Sequence, residues 1–199
     1  TSDRELMKKE NLSEYEISAI MGLLYFKESI ITISQIADIK KKYSNENNIW
    51  GFAYNPRHIA GIQVFLQALL NGNTIINLFE LSSNYIFSEI LKHKITHISA
   101  TPTFYRLLFP CNKEFLSVQR ITSGGEKINQ NLIDQLKKIF PIAKITNVYA
   151  STEIGTLLAS NNDIFTIKKE YAHLIKIEDN ELLVHNSMIG QFKNDDNWY

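Results

Sequence analysis

One cysteine, four prolines and eight glycines among 199 residues exclude several architectures at once. The lone Cys111 rules out an intrachain disulfide framework and fits a reducing compartment. Lys and Arg number 21 and Asp and Glu number 21, so no overall field draws the chain to nucleic acid or to an acidic membrane surface. Lysines and glutamates are interspersed, the pattern of solvated helix faces rather than of a binding patch. No apolar run approaches the roughly 20 residues that span a bilayer. Nothing at the start has the pattern of a signal peptide, and a cytoplasmic location is expected. Internal repeats and low-complexity stretches are missing too. What remains is 44% hydrophobic and 11% aromatic, enough for a sizeable core and too much for disorder.

From residue 56 the chain alternates between two periodicities. Ile59, Ile62, Phe65, Leu66, Leu69 and Leu70 recur at helical spacing behind Pro56, placed in the first turn, and Asn71-Gly72-Asn73 closes that helix. Strands are expected at 50–53, 74–78 (buried), 95–100, 118–122 and 144–149. Helices are expected at 85–94, from Pro102 to about 110, and at 129–140. Strands alternating with helices of this length predict parallel βαβ units, an α/β fold with a mostly parallel, doubly wound sheet. After Gly155 the rhythm changes to short strands at 156–160, 164–167, 173–177 and 181–184. The last two form a hairpin around Glu178-Asp179-Asn180, within a small mixed or antiparallel β part. Ser13, with Glu16 in the capping-box position, starts an earlier helix. The polar break at 40–48 is the best internal boundary. Three parts are therefore expected: a flanking segment 1–48, an α/β core with a ligand crevice at 49–155, and a truncated β subdomain at 156–199.

Two strands end alike. Ile121-Thr122 runs into Ser123-Gly124-Gly125-Glu126, and Asn147-Val148-Tyr149 runs into Ala150-Ser151-Thr152-Glu153. In open α/β sheets ligands bind at the carboxyl ends of strands, and two such endings separated by one helix suggest an anionic, ring-bearing ligand. The Tyr149 ring can cover a base, the Thr152 hydroxyl can reach a phosphate, and Glu153 can hold a hard cation such as magnesium. Each has a plainer alternative: Tyr149 as a core aromatic at a strand end, Glu153 as a solvated strand-end carboxylate, Ser151 as a structural hydroxyl. Gly124 and Gly125 form a tight turn, and one that follows a strand and opens a helix suits an anion.

The order Asn147, Tyr149, Thr152, Glu153 resembles the Asn-x-Tyr-Gly-x-Thr-Glu signature of adenylate-forming enzymes, the acyl- or aryl-CoA ligases and peptide-synthetase adenylation domains. Ala150 stands in the usual glycine place, where a Cβ limits close backbone approach and positive φ. Ser123 to Glu126 supply the family's Gly-Gly-Glu turn. Ala53-Tyr54-Asn55-Pro56-Arg57-His58-Ile59-Ala60-Gly61 and Thr96-His97-Ile98-Ser99-Ala100-Thr101-Pro102-Thr103-Phe104 also fit, and the resemblance covers residues 50–199. It implies ATP-dependent activation of a small carboxylic acid as an acyl-adenylate, with Mg²⁺. The acyl group then passes to a thiol, coenzyme A or the phosphopantetheine of an acyl carrier protein. Ser123 to Glu126 would lie against adenine and acyl group, Tyr149 against adenine, Thr152 on phosphate and Glu153 on magnesium. Asn147, Ala150 and Ser151 complete the nucleotide-binding set. His58 either lines the carboxylate pocket or is simply the polar first turn of an apolar helix.

Other candidates carry less. His97 reads as a satisfied core residue; His93, His173 and His185 have no partners at metal-ligand spacing, so a structural zinc site is not expected. Cys111 has no adjacent base and does not read as a catalytic thiol. The family's Ser/Thr/Gly-rich phosphate loop should fall near 21–29, yet Met21-Gly22-Leu23-Leu24-Tyr25-Phe26-Lys27-Glu28-Ser29 has almost none of its glycines. Either the loop is lost, or a mobile loop is missing between joined flanks. Both ends read as cut, since Trp198-Tyr199 stops where the family continues into a ribose-binding Thr-Gly-Asp. A fragment of a ligase is expected, with a non-catalytic nucleotide- or acyl-binding module of the same fold as the alternative. An unrelated nucleotide-binding enzyme such as a methyltransferase would need a glycine-rich turn after the first strand, and none is present.

Overall fold

A computed structural model describes residues 47–151, 154–189 and 198. The helix start at Ser13, the flanking segment and the phosphate-loop position at 21–29 lie outside them. The chain divides into two compact units between Ile98 and Ser99.

The described part of the first unit holds β1 (Ile49–Phe52), α1 (Ile59–Leu70), β2 (Thr74–Asn77) and α2 (Ser83–His93). β1 and β2 are parallel, in register from Ile49↔Thr74 to Phe52↔Asn77, with α1 as the crossover. Trp50, Phe52, Tyr54, Val64 and Ala68 form the buried cluster between strand and helix. The Trp50 indole N–H, which burial would otherwise strand, donates to Asn73 Oδ1 at 3.0 Å. α1 begins later than Pro56 suggests. Asn55 takes the Arg57 N–H on its side chain and the His58 N–H on its carbonyl, so a turn precedes the helix and His58 becomes the N-cap. At the other end the Gly72 N–H meets the Leu69 carbonyl at 3.1 Å, closing the helix where expected. β2 is not the buried run its composition implied: Thr74 and Asn77 are exposed and the two isoleucines half-buried, the environment of an edge strand.

β3 (His97–Ala100) carries the chain from the first unit into the second. It starts two residues after the expected position because Thr96 Oγ1 instead accepts the Ile49 N–H at 2.9 Å. His97 is a satisfied core residue, 2.9 Å from the Thr96 hydroxyl and with its ring 4.8 Å from that of Trp50.

The second unit continues with α3 (Pro102–Arg106), β4 (Arg120–Gly124), α4 (Gln130–Ile139), β5 (Lys144–Ser151), β6 (Gly155–Ser160), β7 (Ile175–Glu178) and β8 (Glu181–Val184). Thr101 caps α3 through its hydroxyl and Asn129 caps α4 through its amide oxygen, each accepting the N–H three residues on. β4 and β5 are parallel; β6 turns back antiparallel on β5. β7 and β8 form a separate hairpin, as expected, with Asp179 and Asn180 at φ 47° and 67°, the left-handed pair a two-residue turn requires. The expected class therefore holds: α/β with mostly parallel strands, followed by a small antiparallel part. Four assignments need correction. α3 stops at Arg106 rather than near 110, and β7 starts at Ile175 rather than at 173. β4 lies two residues downstream of 118–122 because the Val118 N–H closes a turn on the Phe115 carbonyl. Residues 164–167 are no strand: the Ile164 N–H bonds Asn162 Oδ1 at 2.9 Å, a local bond that replaces a ladder.

Tyr105, Phe115, Val118, Ile133, Leu136 and Phe140 make the fully buried core of this unit. The Tyr105 hydroxyl donates to the Thr122 carbonyl at 2.8 Å, tying α3 to the middle of β4. Tyr105→Phe deletes that donor without opening a cavity, and a loss of about 1 kcal/mol is expected from urea unfolding. An unchanged midpoint would show that the bond adds nothing.

Candidate functional site

Register brings the two polar strand ends side by side, since Ser123 lies opposite Asn147 and Gly124 opposite Val148. Beyond them the chain turns at Gly125, whose φ of 83° few side chains tolerate. A cleft of about 450 Å³ opens there, bounded by residues 125–128 on one side and 147–150 on the other, with Asp163 and Phe165 completing the wall. Gly125, Glu126, Asn147, Tyr149 and Ala150 are thus gathered in one place.

The predicted residues differ in what they offer the cleft. Tyr149 is 45% exposed, with its ring edge-on to Phe165 at 6.1 Å between centroids. Those two rings give the cleft an aromatic side. Asn147 is only 4% exposed, and its amide donates to the Asn162 carbonyl at 3.2 Å. Ser123 is fully buried among the strands with an unpartnered Oγ, outside the lining. Gly124 ends β4 just behind the turn. Ala150 is exposed in β5 and keeps an ordinary negative φ, beside an irregularity in the pairing with β6. The backbone conformation at this place does not call for glycine. Ser151 ends β5 with its hydroxyl buried and unpartnered.

Thr152 and Glu153, assigned to phosphate and magnesium, lie outside the described residues. Among the described residues no group of three His, Cys, Asp or Glu could hold a metal ion. His58 belongs to the first unit, exposed at the start of α1, where its side chain makes no capping bond.

Side chains outside the two strand-end motifs shape the site as well. Glu126 Oε2 accepts the Thr103 hydroxyl at 2.6 Å and lies 3.5 Å from Arg106 Nη1, while Arg106 Nη2 approaches the Lys127 carbonyl at 3.4 Å. α3 therefore clamps the Gly-Gly-Glu turn. Asp163 and Phe165 come from the loop after β6, ten and twelve residues beyond the motif's Glu153. No periodicity marks them. The Asn-Asn-Asp turn in front was the available hint, and it signals a bend rather than a wall.

A family profile described as AMP-binding enzyme matches residues 27–179, more than half of the chain. The chain belongs to the AMP-binding enzyme family. A 2-succinylbenzoate–CoA ligase of Staphylococcus epidermidis is 28% identical over 91 residues, 45% of this chain and 19% of that protein. Among solved structures, the o-succinylbenzoate coenzyme A synthetase of Bacillus subtilis, in complex with ATP and magnesium ion, superposes with a TM-score of 0.58. It is 19% identical, over 82% of this chain and 40% of the other. The luciferase-like enzyme of the mealworm Zophobas morio gives 0.55 at 20% identity, over 64% and 32%. These likenesses establish the AMP-binding enzyme fold, and the chain spans less than half the length of each of these three. No helix among the described residues is long and apolar enough to cross a membrane.

Proposed function

We propose that the cleft at the ends of β4 and β5 holds the adenosine monophosphate moiety of a nucleotide. The protein would use it to activate a small carboxylic acid with ATP. A carboxylate oxygen attacks the α-phosphorus, the bond to the β-phosphate breaks, and acyl-adenylate and pyrophosphate form. A thiol then attacks the acyl carbon and AMP leaves; coenzyme A fits the ligase relatives best, with a carrier-protein phosphopantetheine as the other candidate acceptor. The observation that carries this reading is an aromatic-sided cleft at the carboxyl ends of adjacent parallel strands, in a chain of this family. Tyr149 and the turn at 124–126 would frame the base and acyl group, and Thr152 would meet phosphate. His58 would face the acid. Magnesium, held by Glu153, would neutralise charge on the departing phosphates. The protein's share is positioning and preorganised polarity rather than covalent chemistry. The acid would be carboxylated and aromatic, if it follows the succinylbenzoate ligases the chain is similar to.

Binding without turnover is the second reading, favoured by the scarcity of glycine at 21–29. Calorimetry with AMP and ATP–pyrophosphate exchange separate the two. The 199-residue chain is expected to bind AMP and to exchange pyrophosphate weakly or not at all. Absence of AMP binding by the folded chain would remove the cleft reading, and brisk exchange would remove the binding-only one.

A further inference from the structure

We propose that the amino-terminal ends of β4 and β5, away from the cleft, form a surface that docks on an anionic lipid bilayer. The inference is independent of what the cleft binds. The chain is neutral as a whole, but folding gathers two stretches whose charge is not balanced. Residues 113–120 carry Lys113 and Arg120, and residues 137–144 carry Lys137, Lys138 and Lys144, against Glu114 alone. The two stretches are tied side by side. The Phe115 N–H meets the Ile139 carbonyl at 2.8 Å, the Lys144 N–H meets the Gln119 carbonyl at 2.9 Å, and Arg120 lies opposite Lys144 in register. Phe115 and Phe140 pack together beneath, with 5.8 Å between ring centroids.

Helix chemistry accounts for only part of this charge. Lys137 and Lys138 lie in the last turn of α4, where cations suit the helix dipole, and Lys137 is 3.5 Å from Asp134. Lys113 and Lys144 have no such duty. Among the described residues no carboxylate pairs with Lys113, Lys138 or Lys144, and all three are exposed. Each stretch also bends at a tight turn, closed by the Val118 N–H on the Phe115 carbonyl and by the Ala143 N–H on the Phe140 carbonyl. The turns push one aliphatic side chain each into solvent. Leu116 is 61% exposed and Ile142 58%, while Phe115, Val118, Ile139 and Phe140 around them are buried. Aliphatic tips flanked by lysines match the boundary of a bilayer, where cations meet anionic headgroups and apolar side chains enter the layer below. A single-stranded nucleic acid would call for stacking aromatics, and neither tip offers one. An acidic protein would reward the lysines but not the two tips.

Co-sedimentation of the 199-residue chain with lipid vesicles tests this. The chain is expected to sediment with phosphatidylserine-rich vesicles, less so as salt is raised, and to stay in solution with pure phosphatidylcholine. Lys138→Ala with Lys144→Ala should lower the partition coefficient by about 25-fold, since each lysine at such a surface counts for about fivefold. Leu116→Asn with Ile142→Asn keeps every charge and should lower it by about tenfold. No sedimentation with either vesicle, or equal sedimentation with both, would overturn the proposal. So would a loss on removing the lysines that the asparagine pair does not share, the pattern of an acidic protein partner. All four positions are exposed, so both variants are expected to fold; if one does not, the other decides together with the wild-type lipid preference.

Discussion

Replacing Tyr149 by alanine is expected to weaken AMP binding by about 10- to 100-fold, the range found when a base loses an aromatic platform. The ring is well placed for that role. It is 45% exposed in the unliganded chain, touches Phe165 edge-on, and lines the cleft on the β5 side. Because so much of its surface already faces solvent, its removal should cost little folding stability, and the thermal midpoint should stay within a few degrees. Tyr149→Phe keeps the π-face and should bind AMP nearly as well as the parent. Calorimetry on the two variants decides between a base platform and a bystander. Equal, unchanged affinities in both would mean that the ring does not touch the ligand.

Gly61→Ala is expected to cost about 3 kcal/mol of stability, at the upper end of overpacking penalties. A Cβ at this place would sit 2.2 Å from the Asn55 carbonyl oxygen and 3.0 Å from its carbon, both backbone atoms that cannot rotate away. Glycine-to-alanine inside a helix ordinarily gains up to about 1 kcal/mol from propensity. The clash outweighs that gain, so the sign is reversed. Asn55 also accepts the His58 N–H that launches α1, and any shift relieving the contact would move the helix start. Urea unfolding should show the midpoint falling by more than about 1 M, for the slopes usual in a domain of this size. A variant as stable as the parent would show that the Asn55 turn yields without cost.

Much of the architecture was legible because it is written locally. The helical spacing over 59–70, the hairpin around Glu178-Asp179-Asn180 and the β-branched runs before the two polar tips each depend on neighbours within a few residues. Side-chain bonds decided three of the misplaced assignments, while β4 was displaced by a backbone turn between Phe115 and Val118. Asn55 delays α1, Thr96 delays β3, and Asn162 prevents a strand at 164–167. In each case a polar side chain satisfies a backbone group that regular structure would otherwise have used, and periodicity of apolar residues is blind to that competition.

The motif residues at the two strand ends could be named from the chain because the family's chemistry demands them in order, and local propensity makes strands that stop where they do. Whether those ends open on a common space depends on strand register, with Ser123 against Asn147. Register is a relation between segments far apart in sequence. The same holds for Asp163 and Phe165, brought to the cleft by an asparagine amide fifteen residues before the carbonyl it binds. Backbone propensity acts over one or two turns and can place a strand end. The wall across from it is set by packing and long-range hydrogen bonds, and these exist once the chain has folded.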